Sequence, residues 1–222
     1  LIEEAAHVDD LDVRVPGEDR SGLRVGGGLD RKIRLPLGVV GWLKTHDISE
    51  APMKLAKLAT RVLIGGLFVG HGTQKLKGWF GGPGIEGLSA GMEAMGMHPP
   101  RRNAYAAGVS ETVGGALLAT GLLTPLASAS LTGTMLVAIQ KAHRANGPWN
   151  SEGGWEYNAV LIAAVLAIAE DGPGELSLDH LLGTERQGVS YALGAAALGA
   201  AAAYGALEAA RRATPTAEPQ QG

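Results

Sequence analysis

The chain has 222 residues, a net charge of −3, no cysteine and a mean hydropathy of +0.09. No global basic field points to nucleic acid, and without a thiol the chain carries no disulfide, thiolate metal site or thiol redox chemistry. The average conceals a division between a polar first quarter and strongly apolar segments behind it.

Residues 1–52 are rich in Asp, Glu, Arg and Gly and hold no lasting helical or strand period. Two readings stand. They form a disordered tail of ordinary composition, or they are sequence foreign to the rest, since Met53 is the first methionine and opens a short basic stretch before an apolar run. Crossing the hydrocarbon of a bilayer takes about 20 mostly apolar residues as helix. Leu55 to Gly72 is the first such candidate, and it closes on His71-Gly72-Thr73-Gln74-Lys75-Leu76. A loop is expected from Thr73 to Asn103. It bends at Gly81-Gly82-Pro83-Gly84, carries a short amphipathic surface helix from Ile85 to Met97, and stops at His98-Pro99-Pro100. Tyr105 to Leu123 is the second candidate span, and Thr124-Pro125 makes a tight hairpin into the third, Leu126 to Gln140. The fourth, Tyr157 to Ala169, is short and needs tilt or local thinning of the bilayer. Val189 to Leu207 is mostly Ala and Gly. It either inserts as a fifth span or lies on the surface as a helix, Ala being the best helix former.

The expectation is therefore an all-α fold. A transmembrane four-helix bundle occupies residues 53–183, followed by an additional Ala-rich helix and polar tail over 184–222. Threading four spans alternately gathers the candidate binding residues on one side: His71, Gln74, Lys75, Glu111, Gln140, Glu156 and Tyr157. Glu111 falls about 9 Å into the second span at the helical rise. An ionisable residue there is costly and is read as functional with a named partner: His71 as the likeliest neighbour, then Lys75 and Lys141. The competing reading is a hydrogen-bond hub that fixes helix register. Lys77 reads as a snorkelling anchor, His143 as a solvated helix end, and Trp79, Trp149 and Trp155 as interface anchors. The opposite side offers only Thr124-Pro125 and the Glu170-Asp171 stop. No catalytic set and no metal-binding motif stands out.

The order of these features resembles the DoxX family. The residues that carry the resemblance are His71-Gly72-Thr73-Gln74-Lys75-Leu76, Gly78-Trp79-Phe80-Gly81-Gly82-Pro83-Gly84, Gly87, Glu111 with Gly114-Gly115, the Gly121-to-Leu126 hairpin, Asn146-Gly147 and Gly153-Gly154-Trp155-Glu156-Tyr157. The resemblance implies a multi-pass protein of the bacterial inner membrane, a membrane subunit or anchor of a quinone-linked oxidoreductase system. It is not expected to be catalytic on its own. No intrinsic cofactor is expected, quinone is the ligand compatible with the polar pocket, and the expected partners are the lipid bilayer and a redox protein, not nucleic acid. Two other classes stay open: a proton-coupled small-solute or lipid-binding transporter-like protein, and a structural scaffold for a partner.

Overall fold

The computed structural model describes residues 50–214, with side chains from Lys54 onward. The reading of residues 1–49 and of the tail beyond 214 lies outside the described residues, whereas Glu50, Ala51 and Pro52 already belong to the first helix.

Every regular element among the described residues is helical. In chain order these are α1 (Glu50–Lys77), α2 (Gly84–Ala94), α3 (Pro100–Thr120), α4 (Thr124–Ala138), α5 (Glu156–Asp171), the single-turn α6 (Leu178–Leu181) and α7 (Val189–Arg212). The expected loop at Thr73–Lys77 is instead the last turn of α1. Nothing there breaks a helix, and Thr73 Oγ1 donates back to Val69 O and Gly70 O, both at 2.9 Å. Termination comes at Gly78, whose φ of 73° is the left-handed conformation that suits glycine after a helix. The short surface helix expected from Ile85 is present as α2. Pro100 opens α3 at a position where its missing N–H costs nothing, and Gly121 (φ 65°) ends it. The hairpin into α4 is as tight as expected. Helix α4 then runs on through a π turn, Ile139–His143.

Helix α1 packs on α3, and α4 sits centrally against α3, α5 and α7. The α1–α3 crossing depends on glycine: a Cβ on Gly115 would stand 2.6 Å from Gly65 O and 2.8 Å from Val69 N. Small residues let the backbones approach. Phe68, Leu118, Leu131 and Val165 fill the space between α1, α3, α4 and α5. Gly199 brings α7 equally close to α4, since a Cβ there would meet Ala129 O at 2.7 Å.

The exterior is apolar along every long helix: Leu63 on α1, Val109 and Val113 on α3, Leu126 on α4, Val160 on α5, and Leu193, Leu198 and Tyr204 on α7 are all exposed. Arg61, Glu111, Thr124, Ser128, Thr132, Asn158 and Asp179 are buried. Among the described residues one helix, α7, is by itself long and apolar enough to cross a membrane, and 17% of its most apolar stretch is buried. This is the segment whose composition argued least for insertion. Helices α4 and α5 have 15 and 16 residues, while α1 and α3 carry charges along their length.

The side expected to be bland is not. Asp179 accepts hydrogen bonds from Leu123 N (2.9 Å), Thr124 N (3.1 Å), Thr124 Oγ1 (3.0 Å) and Thr184 Oγ1 (3.1 Å). Burial alone would push its carboxyl up; the backbone and hydroxyl donors outweigh that and hold it below the ordinary carboxylate value. Buried Arg61 donates from Nη2 to Leu176 O at 2.6 Å. Outside them, Lys57 pairs with Asp171 and Lys54 with Glu175. These contacts tie the α5–α7 connection to α1 and to the α3–α4 hairpin. Hydropathy alone could not reveal them, because apart from Thr184 and Asp179 the partners lie more than 50 residues apart.

Candidate functional site

A cavity of about 410 Å³ lies toward the end of the bundle where α1 and α4 finish and α3 begins. Helix α3 contributes Asn103, Ala106, Ala107, Ser110 and Glu111, and α4 contributes Ser130, Gly133, Thr134 and Val137. Leu88 and Met92 of α2, with Met95 and Met97 behind it, make an apolar wall. Ala202, Ala203 and Ala206 of α7 close another.

The polar content is concentrated. Lys75, near the end of α1, forms an ion pair with Glu111 Oε1. Glu111 is 1% exposed, and its Oε2 has no hydrogen-bond partner among the described residues. A buried acceptor without a donor is costly, so this oxygen is suited to a donor that enters the cavity. Beside it Ser110 Oγ lies 2.8 Å from Ser130 Oγ and 2.7 Å from Thr134 Oγ1. These hydroxyls can rotate to donate or accept as a ligand requires. The π turn re-aims the end of α4, and Lys141 donates to Met95 O at 3.2 Å while also lining the cavity. Such turns inside helices often mark functional positions. His143 also lines the cavity, with Nδ1 2.8 Å from Gly153 O.

Of the seven residues singled out from the sequence, Lys75 and Glu111 meet here. The others lie elsewhere. His71, the expected neighbour of Glu111, instead pairs locally with Gln74: Nδ1 lies 3.2 Å from Oε1. Residues three apart on a helix face one another, so this contact forms within α1, and neither residue lines the cavity. Gln140 is exposed and accepts from Arg144 Nη1. Glu156 accepts from Asn150 N at 3.0 Å and shapes the α4–α5 loop. Tyr157 is exposed at the start of α5. Sequence reading passed over Ser130 and Thr134, although their four-residue spacing places both on one face of α4. It also passed over the methionines and the alanines of α7, which carry no chemical flag.

The DoxX family model matches residues 56–144, from the first turns of α1 through the π turn. No curated protein and no solved structure matches the chain. Helices α5 and α7 follow the matched segment, which holds Lys75, Glu111, the hydroxyl cluster and the methionine wall. Over that segment the chain is similar to the DoxX family, a family of small membrane proteins.

Proposed function

We propose that this protein spans the bacterial inner membrane several times and serves as a membrane subunit or anchor of a quinone-linked oxidoreductase system. The observation that carries the reading is buried Glu111, paired with the partly exposed Lys75 and facing a largely apolar cavity, in a helical bundle with an apolar exterior. Such a pocket suits an amphiphile with a polar head. A quinone head offers two oxygens at opposite edges of a ring. Lys141 and the Ser110–Thr134 hydroxyls can donate to such oxygens, and the free Glu111 Oε2 can accept from a hydroxylated head. A quinone would supply two-electron, two-proton carriage. This chain's residues would orient the head, exclude water and hold a proton at Glu111 Oε2. Electrons would come from a partner protein.

The apolar wall of Leu88, Met92, Met95 and Met97 also fits a second reading, a lipid-binding transporter-like protein. The scaffold reading has less support, because Gly65 and Gly115 are already used inside the chain. Purification in mild detergent, with identification of every copurifying protein and lipid-soluble molecule, separates these readings. A redox protein and a quinone support the proposal. A phospholipid without a redox partner favours the second reading.

A further inference from the structure

The cavity has an opening that the polar end of the bundle does not account for. Ala106 of α3 and Ala202 of α7 both line it, and both are exposed. They stand on two helices that flank α4. At the helical rise, Ala106 lies about 9 Å from the start of α3 and Ala202 about 15 Å from the end of α7. Away from the polar end, the next exposed positions on the same stripes are apolar, Val109 on α3 and Leu198 on α7, while Arg102 lies on the polar-end side of Ala106. A helix carrying larger side chains at these two positions would cover the groove. Alanine on both sides leaves it open at a depth where a membrane protein faces hydrocarbon.

We infer that the gap between α3 and α7 is a lateral portal, through which a slender hydrocarbon tail runs from the bilayer into the cavity. Glu111, buried with one carboxylate oxygen unpartnered, marks the end where the polar head of such a molecule sits. The tail is a hydrocarbon chain, that of a lipid or of a polyprenyl amphiphile, and either would take the same route. Helix α7, beyond the family segment, thus supplies one lip of the portal as well as a wall of the cavity. The inference rests on the membrane reading above and not on quinone as the ligand.

The test is photo-crosslinking in phosphatidylcholine vesicles doped with a phosphatidylethanolamine, whose ammonium head can donate to Glu111, carrying a diazirine on its acyl chain, with adducts mapped by mass spectrometry. Wild-type protein is expected to show adducts at Ala107 and Val137 inside the cavity, and at Leu63 and Val160 on the outer face. The double substitution Ala106→Phe and Ala202→Phe is expected to lose the inner adducts and keep the outer ones, which also report that the bundle has inserted and folded. A wild-type protein with outer adducts alone, or a double variant that keeps the inner ones, overturns the portal and leaves the quinone reading standing. Absence of adducts at Leu63 and Val160 as well overturns the membrane reading and the portal with it.

Discussion

Replacing Asp179 by Asn tests whether the end of the bundle opposite the cavity is held by one carboxylate. Its Oδ1 serves Leu123 N and Thr184 Oγ1; its Oδ2 serves Thr124 N and Thr124 Oγ1. An amide presents one oxygen only. In either flip two hydrogen bonds are lost, and a backbone N–H is set against an NH2 group. A hydrogen bond to a charged group contributes about 1.5–3 kcal/mol net, and a buried donor left unmade costs about 1–3 kcal/mol. The threonine hydroxyls can turn to other acceptors, so the expected loss is about 2–4 kcal/mol. For a chain of this size that corresponds to a fall in Tm of roughly 4–16 °C, read by thermal unfolding in mild detergent. The sign with pH follows from the depressed carboxyl. Its contribution is complete above the unfolded value of about 3.9 and is lost as pH falls through the lower folded value. The gap between wild type and variant therefore stays constant from pH 8 to pH 5 and narrows only below about pH 4. An Asn variant within about 2 °C of wild type at pH 7, less than 1 kcal/mol, refutes this account of the hairpin.

Gly115→Ala forces a Cβ against Gly65 O and Val69 N and is expected to cost about 1–3 kcal/mol. Gly66→Ala, with nothing within 4 Å of the added carbon, should gain up to about 1 kcal/mol; denaturation in detergent measures both. Lys57→Ala removes a partly exposed pair with Asp171 and should shift stability by less than about 1 kcal/mol. Ser110→Ala should weaken ligand binding with little change in melting temperature, because Ser130 and Thr134 still bond within α4; equal losses in both would make Ser110 a packing residue.

Much of this was legible because it is local. The glycine-proline turns, the hairpin at Thr124-Pro125 and the apolar periods each signal within a few residues, and they recovered the order of the long helices but neither the full length of α1 nor the single-turn α6. Glu111 was legible because a charge among small apolar residues is conspicuous. Its partner was not. His71 and Lys75 lie one turn apart on α1, and which one reaches across depends on the close approach of α1 to α3 that Gly65, Gly72 and Gly115 permit. The Asp179 cluster was hidden because its members come from three separated segments. The role of α7 was hidden for the opposite reason: alanine carries no chemistry, so a helix that contributes only space looks uninformative until the cavity it borders is known.

The central claim is that Glu111 receives the head of an amphiphile. It is tested most directly by titrating a short-chain ubiquinol, kept reduced under argon so that its hydroxyls can donate to Glu111 Oε2, into proteoliposomes of wild type and of Glu111→Gln, following quenching of the native tryptophan fluorescence. Loss of a charge-assisted hydrogen bond of about 1.5–3 kcal/mol predicts affinity lower by on the order of tenfold or more. Saturable quenching in wild type and that loss in the variant, with unfolding temperatures alike, is the expected result. Equal affinity in the two proteins, or no saturable quenching in wild type, would contradict it.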